Sequence, residues 1–355
     1  MSKKSYNFAI IGAGVIGKSH AKMLQQVEQG NLVAICDIIS EKAQALAEKY
    51  GCNWYNSIEE MLENEAIDIV NICTPSGMHA DHTIQAVQAG KHVISEKPMD
   101  VNLEKARQMI EECRKANRKL AVISQHRFDA ATIEVKEDID NGKFGKVIIG
   151  NGAINWYRSQ SYYDSGDWRG TWELDGGGAL MNQGIHTIDV LQYLAGEIES
   201  VYAHCRTMGH ERIEVEDAAV ATLQFKNGAI GTLVGTTCAF PGLSTRIEVF
   251  GKDGSAVIEN DLLVHKVFRA DIGEVGNYGG VNHLETEKEV NETGASDPAA
   301  ISQSSHVLQF NDLIEAIEEN REPAVNGLEA IKPLKVILAI YQSSKIGKQV
   351  QIDEI

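Results

Sequence analysis

The sequence predicts an α/β fold in two parts: a doubly wound parallel sheet over residues 1–125, then an α+β domain over 126–355 with an open, mostly antiparallel sheet. Three observations predict it. Short apolar runs alternate with amphipathic stretches of about ten to fifteen residues as far as Ser124, the pattern of βαβ units. Period-two patterning replaces that alternation between Ser200 and Phe268. At 355 residues the chain exceeds one ordinary domain and suits two of roughly 150.

The elements follow in order. Residues 7–11, 32–36, 67–73, 92–95 and 120–124 read as strands. Ser57, with Glu60 three residues on, forms a capping box; Gly90 stops the helix before it, and Asn102 precedes a helix over 103–117. Beyond Arg127 come a helix over 131–141, a strand over 146–157, an irregular aromatic and glycine-rich stretch over 158–178 and a periodic helix over 179–194. Residues 218–225 and 229–236 flank Asn227-Gly228, which predicts a hairpin with a type I′ turn. Lys252 to Gly254 marks another turn, and polar, glycine-rich 271–300 reads as a long surface loop. Helices over 304–320 and 335–346 finish the chain, with Pro333 in the first turn of the latter; the last helix is expected to pack back on the first domain.

Composition bounds the function. Hydrophobic residues make up 43% and charged residues 23%, the balance of a soluble globular protein. The N-terminal apolar run passes straight into glycines without a cleavage site, so neither a signal peptide nor a membrane anchor is expected. Cys36, Cys52, Cys73, Cys113, Cys205 and Cys238 form no CxxC pair, which predicts buried thiols in a reducing, cytoplasmic setting. A net charge of -17 opposes nucleic acid and anionic membrane and leaves a small molecule as the expected partner.

Gly12-Ala13-Gly14-Val15-Ile16-Gly17 follows the first strand and opens a helix. The first glycine makes the tight turn, the second lets backbone N–H groups reach a pyrophosphate, and the third allows close helix–strand packing. Such a motif is weak alone. Asp37, at the end of the next strand, strengthens it, because its carboxylate can accept from ribose hydroxyls and repel a 2′-phosphate. NAD is therefore expected over NADP. Thr74-Pro75 and Glu96-Lys97-Pro98 close two further strands at the edge where open α/β sheets bind ligands. Lys97 reads equally as a proton carrier for an alcohol or as a surface lysine paired with Glu96.

GAGVIG, the strand end ICD, the TPSGMH turn, AGKHVISEKP and the later GGGALMNQGIHTIDVL together resemble the Gfo/Idh/MocA oxidoreductase family, named for glucose–fructose oxidoreductase and inositol dehydrogenase. The resemblance runs in order over nearly the whole chain, and an EKP box combined with that helix is more specific than a dinucleotide fingerprint. It implies a Rossmann domain followed by a substrate domain whose open sheet often mediates oligomerisation, here a dimer or tetramer, with a sugar or cyclitol in the cleft. It also implies Lys97 as the catalytic lysine, His186 as the second proton-relay or substrate group, and the turn of Thr74, Pro75 and His79, with Glu96, beside the nicotinamide. In inositol dehydrogenase-like members an aspartate stands four residues before the histidine; here Asn182 does, and an amide cannot take a proton.

On residue type alone, a buried structural histidine is the better reading of His186. Asn182, His186 and Asp189 are spaced to share one helix face, and Asp189 reads as a capping or orienting group. Tyr157, Trp168 and Arg169 belong to a stretch rich in aromatic and arginine side chains, which suits a carbohydrate pocket and also suits a core cluster or subunit contact. Arg127 holds substrate or pins the domain interface. His79 and His82 lack a third ligand, and no metal is expected. Free sugar or polyol is the expected substrate. A nucleotide-linked UDP-aminosugar uronate, a tightly held and recycled cofactor, and a non-catalytic NAD-responsive regulator are the rival readings.

Overall fold

The computed structural model describes residues 4–63, 66–273 and 303–355, and the chain divides into two compact units. The first takes Met1–Gln125, Trp172–Gly176 and Ser302–Lys332; the second takes His126–Thr171, Gly177–Ile301 and Pro333–Ile355.

The first unit alternates β1 (Tyr6–Ile11), α1 (Val15–Leu24), β2 (Gly30–Cys36), α2 (Ser40–Tyr50), β3 (Asn53–Tyr55), α3 (Ile58–Leu62), β4 (Ile69–Ile72), α4 (His79–Gln88), β5 (His92–Ser95), α5 (Leu103–Lys115) and β6 (Leu120–Val122). All strand pairs are parallel, in the order β3-β2-β1-β4-β5-β6. The order reverses between β1 and β4, and the crevice outside the carboxyl ends at such a point is where open sheets take ligands. Central strands are covered on both faces and so read as continuous apolar runs. β3 is an edge strand with Asn53 and Trp54 exposed, which is why no apolar run announces it. At Ser57 the side-chain half of the expected capping box forms, its Oγ accepting from the Glu60 N–H at 3.3 Å while its hydroxyl donates to Glu59, and the Asn102 Oδ1 accepts from Glu104 and Lys105.

The second unit contains α6 (Ala130–Asp140), β7 (Val147–Asn155), α7 (Gln160–Tyr163), a π-helical segment (Ala179–Gly184), α8 (Ile185–Ala195), β8 (Ile198–Arg206), β9 (Ala218–Phe225), β10 (Ile230–Thr236), β11 (Thr245–Gly251), β12 (Gly254–Glu259), β13 (Leu262–Phe268) and α9 (Arg269–Ile272). α10 (Gln303–Glu318), α11 (Gly327–Ile346) and β14 (Val350–Gln351) follow. The second sheet runs β13-β12-β11-β7-β10-β9-β8-β14 and is antiparallel except where β7 meets β10. α8 settles on β7 because Gly150 and Gly152 make room: a Cβ on Gly150 would stand 2.6 Å from the Ala195 Cβ. α10 belongs to the first unit, where Phe310 stacks on Phe8 at 6.4 Å.

Several local expectations are corrected. The turn at Asn227-Gly228 is not type I′: only Gly228 has a positive φ, +85°, and its N–H returns to the Phe225 carbonyl while Phe225 N–H reaches Ala229. That is a three-residue loop ending in a left-handed glycine. Asn227 instead clips the loop to the end of α8, donating to the Ala195 carbonyl at 2.7 Å and accepting from the Ala229 N–H at 3.0 Å. The tight two-residue turn lies elsewhere, at Asn260 and Asp261, with φ of +49° and +66°. The helix expected over 179–194 begins as a π-helix. Pro333 lies well inside α11, which starts at Gly327; the boundary between the units falls at this proline. Most of the surface loop expected over 271–300 lies outside the described residues, while Asp271 and Ile272 end α9. Among the described residues no helix is long and apolar enough to cross a membrane.

Asn227→Ala removes two hydrogen bonds and leaves the Ala195 carbonyl without that donor. A loss of about 1–2 kcal/mol in urea unfolding with an unchanged m-value is expected.

Candidate active site

The three glycines of the first loop answer to different demands. Gly12 has φ +102°, and a Cβ there would stand 2.5 Å from the Cys73 carbonyl oxygen; on Gly17 a Cβ would stand 1.9 Å from the Gly12 carbonyl oxygen. Both are required by the turn itself. A Cβ on Gly14 would meet nothing within 4 Å, so packing does not require that glycine, whereas a ligand pressed against the backbone would. Gly14 caps α1 without a side-chain hydrogen bond, and first-turn N–H groups left in this way form an anion site. Ala13 and Ile16 face the core, and Val15 is 63% exposed.

Asp37 fastens this loop to β2. Its Oδ2 accepts from the Ala13 N–H at 2.7 Å and its Oδ1 from the Ile39 N–H at 2.8 Å. Each oxygen retains a second lone pair, so the carboxylate can still accept from a ribose. The neighbouring Ile38 is 85% exposed and offers an apolar face for an adenine. These residues fit a dinucleotide.

The same sheet edge carries the other candidates. Thr74 Oγ1 pairs with His82 Nδ1 at 3.1 Å, and Pro75 precedes the short turn Ser76–Met78. His79 is buried, with Nδ1 2.7 Å from the Pro98 carbonyl and Nε2 2.9 Å from the Thr74 carbonyl. It ties the turn after β4 to the turn after β5 and acts on the edge as a strut.

Glu96 is 5% exposed. Oε1 meets His20 Nε2 at 2.8 Å and Oε2 accepts from the Lys97 N–H at 3.1 Å; Asn71 Nδ2 meets the other nitrogen of His20 at 3.1 Å. Burial alone would raise the Glu96 carboxyl, but the hydrogen bond and charge of His20, with His306 and Lys97 nearby, hold it down to about 2. A buried anion therefore anchors the main chain of Lys97, whose side chain is half-buried.

In the second unit the π-helical segment and α8 carry Asn182 and His186. Both are half-buried between the buried residues Met181, Gln183, Ile185 and Thr187. A π turn inserts a residue into the helical ladder and recurs at functional sites. Its start is held from outside: Glu216 accepts from the Gly178 N–H at 2.9 Å and the Leu180 N–H at 2.8 Å, and its carbonyl accepts from the Ala179 N–H. Tyr341 donates its hydroxyl to the same carboxylate at 3.0 Å. Burial pushes the Glu216 carboxyl up to about 7, against the pull of these donors.

Arg127 makes a bidentate pair with Asp189 at 2.8 and 2.6 Å and lies over the Tyr193 ring, which fixes α8 to the turn that begins the unit. Trp168 and Arg169 are brought together with Tyr162: the Arg169 guanidinium lies 4.4 Å from the Trp168 ring and 4.3 Å from the Tyr162 ring. The Tyr162 hydroxyl also accepts from Arg169 at 2.6 Å and from Gln183 at 3.0 Å, which links this cluster to the residue after Asn182. Tyr157 packs edge-on to Phe240 at 5.3 Å.

Sequence reasoning missed Tyr162, Gln183, Glu216, His20, His126 and Asp261. Glu216 had a faint signal, an acid pair at the head of an alternating apolar run. His126 and Tyr162 each have a nearby partner, Asp129 and Arg169, but the contacts of Tyr162 with Gln183, His20 with Glu96 and His126 with Asp261 join distant segments that no local pattern records. Among the described residues three clusters bring histidine, carboxylate or thiol ligand atoms together, His20/Glu96/His306, His210/Asp217/Cys238 and His126/Asp129/Asp261; none includes His79 or His82.

Residues 6–124 match the family model described as the oxidoreductase family with an NAD-binding Rossmann fold, and residues 132–257 match the GFO/IDH/MocA C-terminal domain. The chain is 28% identical to myo-inositol 2-dehydrogenase of Thermotoga maritima, over 98% of both chains. It is 35% identical to D-glucoside 3-dehydrogenase of Escherichia coli, over 65% of this chain and 70% of that enzyme. Among solved structures it resembles the WlbA dehydrogenase of Bordetella pertussis in complex with NADH and UDP-GlcNAcA, at 32% identity, TM-score 0.86 and 99% coverage of both chains.

Gly14→Ala is expected to fold normally and to weaken NADH binding by about tenfold or more in a fluorescence titration, because the new methyl group occupies the open face of the loop. Glu216→Gln tests the buried carboxyl. Its folded value of about 7 lies above the ordinary 4.5, so its protonation contributes stability that is complete below 4.5 and is lost as pH rises to about 7. The melting-temperature advantage of the native chain over Glu216→Gln should therefore shrink across that window.

Proposed function

The chain belongs to the GFO/IDH/MocA oxidoreductase family, and we propose that it is an NAD-dependent dehydrogenase of the secondary alcohol carbon of a sugar or polyol, inositol- or hexose-like. The observation that carries this is the pairing, on one sheet edge, of an open phosphate loop at Gly14 with Lys97 anchored by a buried carboxylate. The inositol and glucoside dehydrogenases among its relatives support the substrate class. Asp37 supports NAD over NADP, since a 2′-phosphate would meet its charge.

Bound NAD⁺ supplies the hydride acceptor. Lys97 takes the proton from the hydroxyl whose carbon loses hydride and returns it in the reverse direction. His186 and Asn182 hold neighbouring hydroxyls, and because the Asn182 amide cannot accept a proton, the relay rests on Lys97 with His186 assisting. Gly14, Val15 and Ile16 at the start of α1 would hold the pyrophosphate on the turn that Gly12 and Ala13 make through their own N–H bonds to Cys36 and Asp37, Asp37 would hold the ribose, and the turn of Thr74, Pro75, His79 and Glu96 would shape the nicotinamide end. Trp168 and Arg169 offer a stacking face and donors to the sugar, Tyr157 adds a second ring, and Arg127 acts through Asp189 on the substrate helix.

The two units divide these tasks, cofactor in the first and substrate in the second. A cytoplasmic homo-oligomer, dimer or tetramer, completes the proposal. What supports the oligomer is the face of the second sheet turned away from α8, where Tyr202, Val220 and Ile230 are 39%, 52% and 59% exposed.

A nucleotide-linked sugar is the second reading. It is favoured by the likeness to a dehydrogenase solved with UDP-GlcNAcA and by Asn182 in place of an aspartate. NADH formation with free sugars, inositols and UDP-sugars decides between the two. Lys97→Met is expected to lower kcat on the active substrate by about 100-fold or more with NADH affinity unchanged; native turnover in that variant would remove Lys97 from the mechanism.

A further inference from the structure

We infer that His126 is a positioning residue for His186, locked by a two-carboxylate clamp that Asp261 closes from a distant hairpin. The inference rests on the assignment of His186 to the substrate site. His126 stands in the turn Gln125–Phe128. Its Nδ1 lies 2.6 Å from Asp129 Oδ2 and 3.1 Å from Asp261 Oδ1, and its ring centroid lies 5.0 Å from that of His186 with the planes at 78°. One nitrogen is thus fixed by two anions while the ring packs against the second imidazole.

Charge and backbone both favour this reading. Burial would lower the His126 ring's pKa, but Asp261 and Asp129 lift it to about 10, so the bond to the clamp is charge-assisted and strong at neutral pH. Asp129 at the head of α6 and Asp261 from the β12–β13 turn face the ring with their charges, while the adjacent Arg127 is paired with Asp189. The two-residue turn between β12 and β13 sets Asp261 in the left-handed region at φ +66°, which aspartate and asparagine both adopt, so the turn itself holds the carboxylate against the ring. The edge-on packing limits rotation of the His186 ring and presents its nitrogens to substrate in one orientation, which is where misplacement is costly for rate.

Two substitutions test the clamp. Asparagine is at home in the left-handed region, so Asp261→Asn keeps the turn and removes the charge, while His126→Gln removes the ring. On the most active member of the substrate panel, both are expected to lower kcat by about tenfold or more with NADH affinity unchanged. In protein labelled with ¹⁵N-histidine, one imidazolium signal should persist at about pH 8.5, where ordinary histidines are neutral. It should disappear in His126→Gln, and the His186 ring resonances should move in both variants. Native kcat and unmoved His186 resonances in both variants, with turnover lost in His186→Ala, would overturn the clamp. Native turnover in His186→Ala would instead overturn the site assignment beneath it. A stoichiometric divalent metal in the purified protein, released by Asp261→Asn, would overturn the protonated clamp in favour of a metal centre.

Discussion

The first unit turns on one buried carboxylate. Glu96 is removed from water immediately before Lys97, and an ionised group there persists only where donors surround it. His20 from α1 supplies one donor and the Lys97 main chain another. The same α1 begins at the glycine loop, so the helix proposed to face a pyrophosphate at its start is tied from its middle, through Glu96, to the main chain of the candidate catalytic lysine. The glycine loop and the candidate lysine are thus connected along one sheet edge, and His79 braces that edge through the carbonyls of Thr74 and Pro98.

The second unit solves a different problem with the same kind of group. A π-helical start leaves backbone donors that a regular helix end would satisfy with a local cap. Glu216 reaches them from the strand side, with Tyr341 donating to the same oxygen that accepts from Leu180, while Asp189 holds Arg127 further along the helix. Asn182 and His186 therefore project from a helix held at its start and along its length. The proposed substrate residues thus stand on a supported element, the arrangement a precisely placed site requires.

The elements with strong local signals were legible. The parallel strands announced themselves as apolar runs because both faces are covered, and Ser57 and Asn102 marked helix starts because a side-chain cap is a local bond. The glycine loop and Asp37 were legible for a similar reason, since a tight turn beside a phosphate restricts residue type at fixed spacing. Less was legible where several conformations share one residue pattern. Asn227-Gly228 suits a two-residue turn as well as the three-residue loop found, and the choice fell to the Ala195 carbonyl, which Asn227 satisfies from 32 residues away. The exposed β3 carried no apolar run to announce it, and the helix start that Pro333 signalled gave way to a helix already begun at Gly327.

By itself the sequence determined the fold class, the family and the identity of the cofactor loop, because each depends on periodicity or on residues a few positions apart. Only the tertiary structure decided which side chains brace the candidate residues: His20 behind Glu96, Glu216 and Tyr341 at the π-helical start, and Asp261 on His126. Those contacts span from tens of residues to well over a hundred, and the energies that select them come from burial and charge pairing, which exist only once distant segments have met. A list of residues fixes what each group can donate or accept, and the fold decides which partner it finds.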